Sequence, residues 1–266
     1  MKAIILAAGT ASRLRPLTSN TPKCLLKVGQ RTLLGRSMDA LIAAGIHEFV
    51  IVTGYLHEQI ETFVWQTYGE SISVCFIHNK DFETTNNIYS LWLARPEADG
   101  EEVLLLDSDL LYDGEIVKRI LQDSHDNVLT LIRHELGEEE MKVVIDPPLP
   151  SLKGRETLDV EASPLRGGLE GSITEISKTC SPALAAGESL GIERMGKAYT
   201  TALYKELDVM MNREHLENKF YELAFQRLIA DGQTFSVLDV TDLFSCELDT
   251  VEDFENAKER IPAHLF

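Results

Sequence analysis

The sequence predicts an α/β protein built on a central, mostly parallel sheet with helices on both faces. Two observations carry this. Apolar runs of strand length recur between stretches with helical periodicity, and glycine, proline and capping residues punctuate the junctions. With 266 residues, 44% of them hydrophobic, the chain has material for a sizeable core and for one large domain.

Residues 2–7 form an apolar run with the length of a buried strand, and a Gly/Ser/Thr/Pro-rich stretch, 8–23, follows it. Thr32 is placed to cap a helix carrying Leu33, Leu34, Met38, Leu41 and Ile42, with Gly45 as its terminator. Residues 49–52 read as a strand, 56–65 as a helix and 71–77 as a strand. Asn86 starts a short helix that must stop near Pro96. Residues 103–106 are a fourth apolar run, ending in Asp107-Ser108-Asp109, and 128–132 and 142–145 are β-like as well. Between 146 and 171, four prolines and four glycines predict a loop insertion. Beyond it come a strand at 172–176, helices at 198–211 and 216–231, a strand at 234–240 and a last helix from about Thr250 to Arg260.

Composition narrows the function. There are 43 acids against 25 bases, a formal net charge of −18, so nucleic acid and anionic membrane would repel the chain. No stretch approaches the roughly 20 apolar residues of a membrane span. The four cysteines, Cys24, Cys75, Cys180 and Cys246, are scattered and read as reduced thiols of a cytoplasmic protein. The charge is uneven, however. Lys2, Arg13, Arg15, Lys23, Lys27, Arg31 and Arg36 fall within the first 36 residues, which contain no acid. Such a segment on an acidic body is either a localised anion site or a solvated basic face.

The loop after the first strand carries the sharpest chemistry. It reads Leu6-Ala7-Ala8-Gly9-Thr10-Ala11-Ser12-Arg13-Leu14-Arg15-Pro16-Leu17-Thr18, then Thr21-Pro22-Lys23. Neither the P-loop nor the dinucleotide glycine pattern is present. What remains is a run of small residues that brings backbone amides close to an anion, followed by Arg13 and Lys23 to neutralise it. This stretch resembles the signature of the sugar-phosphate nucleotidyltransferase superfamily. Within that superfamily, Thr85-Asn86-Asn87-Ile88-Tyr89-Ser90-Leu91 and the 104–113 segment are similar to bacterial choline-phosphate and 2-aminoethylphosphonate cytidylyltransferases. Ala11 departs from it, standing where glycine is usual; if the position needs a positive φ, alanine costs about 1 kcal/mol.

The resemblance implies a Rossmann-like, GT-A-like nucleotidyltransferase fold in a single domain, 1–266. Its parts are a nucleotide-binding portion at 1–133, the 146–171 insertion, and an acceptor-binding and C-terminal portion at 172–266. It also implies transfer of CMP from CTP to a small phosphorylated or phosphonate acceptor, with release of pyrophosphate. Asp107 and Asp109 close a buried strand two residues apart, and paired carboxylates suit Mg²⁺. By resemblance, Asp109 and Asp249 share the metal, Asp107 supports them, and Lys178 contacts the acceptor phosphate. Asp249 could instead cap the last helix, a task open to Thr250 too. Asn86, Asn87 and Ser90 lie by resemblance near base and ribose, although the asparagines could equally cap their helix. Tyr221 and Glu222, with Tyr89 nearby, are candidates for a pocket around a cationic head group. A phosphomonoester is largely dianionic at pH 7, its second pKa being about 6, so the reaction needs no general base. Two alternatives stand: a sugar-1-phosphate or inositol-1-phosphate nucleotidyltransferase, and a nucleotide-binding regulatory module without turnover. A homodimer is left open.

Overall fold

The computed structural model describes residues 1–146 and 171–265. Most of the stretch expected as an insertion, 147–170, lies outside the described residues. The order of elements is β1 (Lys2–Ala7), a short hairpin of β2 (Lys27–Val28) and β3 (Arg31–Thr32), α1 (Leu33–Ala43), β4 (Glu48–Thr53), α2 (His57–Tyr68) and β5 (Ser73–His78). Then come α3 (Asn87–Leu93), α4 (Arg95–Ala98), β6 (Val103–Asp107), β7 (Leu110–Tyr112), α5 (Glu115–Gln122), β8 (Val128–Ile132) and β9 (Lys142–Asp146). The chain continues through β10 (Ser172–Ser177), β11 (Gly187–Met195), α6 (Lys197–Asn212), α7 (Glu222–Ala230), β12 (Ser236–Asp239), β13 (Ser245–Glu247) and α8 (Val251–Arg260).

Among the described residues the main sheet has nine strands, in the order β10-β9-β11-β6-β1-β4-β5, with β8 joining β11 to β12. β6, β1, β4 and β5 are parallel, and β11 runs antiparallel to β6, β8 and β9. The α/β fold expected from the sequence is present, with a mixed sheet: parallel from β6 through β1 and β4 to β5, and antiparallel around β11 and between β9 and β10. β1 is buried on both faces because every residue after Lys2 is apolar: Ile4 and Leu6 enter one core layer, Ala3, Ile5 and Ala7 the other. From β1 the chain steps to β4 on one side and later to β6 on the other. The carboxyl ends of these strands therefore open onto a topological switch point, where α/β sheets bind ligands.

Thr32 caps α1 through its hydroxyl, which accepts from the Gly35 amide at 3.0 Å. The helix expected to stop near Pro96 ends at Leu93, and Pro96 falls in the first turn of a new helix, α4, where its missing N–H costs nothing. The helix expected at 216–231 starts only at Glu222, after turns. One central strand, β11, is absent from the sequence reading, because Gly187, Glu188, Gly191, Glu193 and Arg194 give it no apolar run. Its glycines are steric necessities. A Cβ on Gly187 would overlap the Ile132 carbonyl, and one on Gly191, whose φ is +78°, would stand 2.8 Å from Asp107 Oδ2.

Candidate active site

The loop leaving β1 is held from several sides. Ala8 accepts from the Tyr55 amide at 3.1 Å, and Leu14 is fully buried beneath the turn at Ser12–Leu14. Ala11 adopts φ +46°, ψ +49°, the left-handed conformation that costs a residue with a Cβ about 1 kcal/mol. The strain is locked in place: the Ala11 carbonyl accepts from the buried Thr18 hydroxyl at 2.8 Å and from the Leu14 amide at 3.0 Å. The amides of Gly9, Thr10 and Ala11 donate to no protein acceptor among the described residues, so they are available to an anion. Arg13 projects into solvent at the rim, 67% exposed.

Pro22 leads into a turn that launches Lys23 from a buried base, with Cys24 packed in the core behind it. Lys23 Nζ donates to Asp109 Oδ2 at 2.9 Å and to Asp249 Oδ1 at 2.7 Å. Burial alone would lower its pKa, but the two carboxylates hold it above the usual lysine value.

These carboxylates lie 140 positions apart in sequence and meet through a small ladder. β13 pairs with β7, Glu247 opposite Leu110, and the Leu248 amide donates to the Asp109 carbonyl at 3.3 Å. Thr250 caps α8, its hydroxyl accepting from the Asp253 amide at 3.1 Å, and completes a capping box. Asp249 is thereby released from the capping role that the sequence left open. Asp109, Glu247 and Asp249 each offer an oxygen within 4.8 Å of the others, and Asp109 Oδ1 is buried without a hydrogen-bond partner. An all-carboxylate set with an orphaned oxygen fits a hard divalent cation such as Mg²⁺. Glu247 was missed as a ligand candidate; only the β13–β7 pairing, which sequence does not reveal, brings it in. Glu247 is exposed at its surface, yet the protein crowded around its carboxyl, followed by the charges of Asp109 and Asp249, shifts it upward.

Asp107 borders the same cavity as Asp109 but stands outside the carboxylate cluster. β6 ends at Asp107 and the chain turns through Ser108, so strand alternation stops there. Asp107 Oδ2 instead accepts from the Tyr221 hydroxyl at 3.1 Å. Burial first, then Asp109, Glu222 and Glu193, hold its carboxyl well above the usual range.

Leu6 through Arg13, Lys23, Asn86, Asn87, Ser90, Asp107, Asp109, Lys178, Glu222 and Asp249 all border one cavity of about 410 Å³. Asn86 caps α3 through its own side chain, and Asn87 Oδ1 accepts from the Tyr221 amide at 3.0 Å. Ser90 accepts from Asn79 Nδ2 at 3.1 Å. At the opposite end, Lys178 Nζ stands 4.6 Å from the centroid of the Phe220 ring. Glu222, only 7% exposed, keeps Oε2 without a partner, and its carboxyl is pushed up to about 7 by burial, against the pull of its own amide and of Lys178.

Two aromatic expectations are corrected. Tyr221 is fully buried and lies under the cavity, bound to Asp107. The exposed aromatic at the wall is its neighbour Phe220, since residues before Glu222 are in turns and helical phase cannot assign their faces. Tyr89 does not border the cavity either. It packs on Trp92, ring centroids 5.4 Å apart, as aromatics three positions apart on a helix do. The basic N-terminal segment also divides: only Arg13 and Lys23 of its seven bases line the cavity, while Lys2 pairs with Glu97 and Arg31 with Asp39.

Comparison with known proteins agrees with this geometry. The nucleotidyl transferase family model matches residues 2–140. Choline-phosphate cytidylyltransferase of Streptococcus pneumoniae is 41% identical over 110 residues, which cover 41% of this chain and 46% of that protein, so the match spans about half its length. CTP:phosphoglutamine cytidylyltransferase of Campylobacter jejuni is 24% identical over 271 residues, covering 96% of this chain and 98% of that one. A solved structure of CTP:phosphocholine cytidylyltransferase from Streptococcus pneumoniae superposes with a TM-score of 0.71 at 21% identity, covering 98% and 99% of the two chains. Among the described residues, no helix is long and apolar enough to cross a membrane.

Proposed function

The chain belongs to the nucleotidyl transferase family, and we propose that it transfers CMP from CTP to the phosphate or phosphonate of a small amine-bearing acceptor, releasing pyrophosphate. The single observation that carries the acceptor class is Glu222. A carboxyl that is 93% buried, with an oxygen left unpartnered at a cavity wall, is costly unless a ligand completes it, and a cation is the ligand that does so best. Phe220 at the same wall carries Lys178 Nζ over its ring, 4.6 Å from the centroid, and so helps to place the lysine beside this carboxyl. Relatives named for choline phosphate and for phosphoglutamine support the same chemistry.

The roles follow from charge. The free amides of Gly9 to Ala11 cradle the triphosphate, and Arg13 at the rim neutralises it. Lys23 steadies the α-phosphate from its buried base, and Lys178 holds the acceptor anion in line with it. The carboxamide nitrogens of Asn86 and Asn87 serve as donors to base and ribose, their oxygens being engaged by the protein. Asp109, Asp249 and Glu247 would hold Mg²⁺, which neutralises phosphate charge when bound. The obstacle is repulsion between anions, so the protein works by positioning and neutralisation, and no residue need take a proton.

Glu222→Gln tests the acceptor class. The KM for phosphocholine or 2-aminoethylphosphonate should rise about tenfold or more, the size of one charge-assisted contact, with the KM for CTP unchanged. An equal change toward inositol-1-phosphate would place the acceptor among uncharged polyol phosphates and overturn the reading.

A further inference from the structure

Lys142 opens β9 and is 1% exposed, yet its ammonium meets no carboxylate among the described residues. Its three protons go to three main-chain carbonyls: Lys178 at 2.8 Å, Glu140 at 3.1 Å and Glu138 at 3.3 Å. A buried charge held only by neutral dipoles is an expensive way to stabilise a fold, and an apolar side chain of similar length would fill the space at less cost. The position of the three carbonyls accounts for the expense. Lys142 pairs with Ser177 on β10 and with Glu188 on β11, so it sits where three strands meet behind the acceptor end of the cavity. Glu139, Met141, Lys178 and Glu188 all border that end. One ammonium therefore clamps the turn at 138–140 to the main chain of Lys178 itself.

We propose that Lys142 is a positioning residue for the acceptor anion. By fixing the Lys178 carbonyl and the facing turn, it holds the Lys178 side chain over Phe220 and keeps the width of the acceptor wall constant. A salt bridge in the same place would neutralise the ammonium behind Lys178; three main-chain carbonyls leave its charge in place. The inference rests on Lys178 contacting the acceptor, as in the function proposed above.

A double-mutant cycle separates the two ideas. Kinetics are measured with CTP and whichever amine-bearing acceptor turns over, in the full chain and in Lys178→Met, Lys142→Met and the double variant. Lys178→Met should raise the acceptor KM about tenfold or more; if it does not, the acceptor assignment fails and this inference with it. Lys142→Met should raise the acceptor KM several-fold with the KM for CTP unchanged, and should add less than about twofold in the Lys178→Met background. Parallel changes in both KM values, or an effect of full size without Lys178, would make Lys142 a general staple and overturn the proposal. Lys142→Gln, which keeps two donors, should show the same pattern more weakly. If neither variant accumulates as folded protein, the lysine is structural and the proposal is overturned.

Discussion

Glu222 should make the protein more stable in acid than its net charge suggests, and its replacement should make it more stable in base. Its carboxyl titrates at about 7 when folded, against 4.5 as the ordinary value, because burial at the cavity wall disfavours the charged form. Below pH 4.5 the group is protonated in folded and unfolded chains alike and costs nothing. Between 4.5 and 7 the unfolded chain ionises first, and folding must hold the proton at rising cost. Above 7 the cost is complete. At about 1.4 kcal/mol per pH unit, the interval from 4.5 to about 7 amounts to about 3 kcal/mol. Glu222→Gln removes it. Urea unfolding of the two proteins should coincide near pH 4.5 and diverge by up to about 3 kcal/mol at pH 8, which for a chain of this size is a rise of about 6 °C in Tm. Asp107, Glu193 and Lys178 also face this carboxyl; its charge helps to raise the first two, so Glu222→Gln relieves them as well and their relief adds to the difference in the same direction. A pH-independent offset, or a variant less stable at pH 8, would refute the reasoning.

The left-handed Ala11 should yield to glycine: relief of about 1 kcal/mol, less the extra freedom of the unfolded chain, leaves Ala11→Gly stabilised by about 0.5 kcal/mol. Ala11→Val should lose at least about 1 kcal/mol, and an unchanged urea midpoint in the valine variant would count against the strain. Tyr221→Phe should cost about 1 kcal/mol through the donor lost from half-buried Asp107, with acceptor KM nearly unaltered. Phe220→Ala should do the reverse, weakening the acceptor several-fold at little cost in stability, because the ring is 41% exposed. Thr250→Ala should lower stability by about 1 kcal/mol with metal binding intact. Asp249→Asn should weaken Mn²⁺ binding, read by titration, and leave the thermal midpoint nearly in place.

Much of this architecture is legible in the sequence because local chemistry and tertiary role coincide. β1, β4, β6 and β8 are apolar runs that become buried strands, and Thr32 caps the helix it precedes. Gly9 to Arg13 and Lys23 lie close together in the chain and border one cavity, so their grouping is readable locally; Asp109, 86 positions further on, is placed with them only by resemblance. Legibility fails where tertiary structure overrules the local signal. β11 buries Glu193 and needs two glycines for close approach, so it has neither the hydropathy nor the composition of a strand. Glu247 reaches the carboxylate cluster of Asp109 and Asp249 through a ladder between β13 and β7 that no local pattern encodes. Phe220 replaces Tyr221 at the wall because the segment before α7 is a turn, and a one-residue shift there exchanges surface for core. Lys142 resembles any strand lysine until its three carbonyls are seen.

The most direct test is pyrophosphate release in the presence of Mg²⁺, with each nucleoside triphosphate crossed against phosphocholine, phosphoethanolamine, 2-aminoethylphosphonate, glucose-1-phosphate and inositol-1-phosphate, in the wild-type chain and in Asp109→Ala. The geometry predicts turnover with CTP and an amine-bearing acceptor, lost in the Asp109 variant. Turnover confined to a sugar or inositol phosphate would keep the triphosphate cradle and contradict the cation-binding wall. Silence with every acceptor, in folded protein that still binds CTP, would contradict the account of the reaction as a whole.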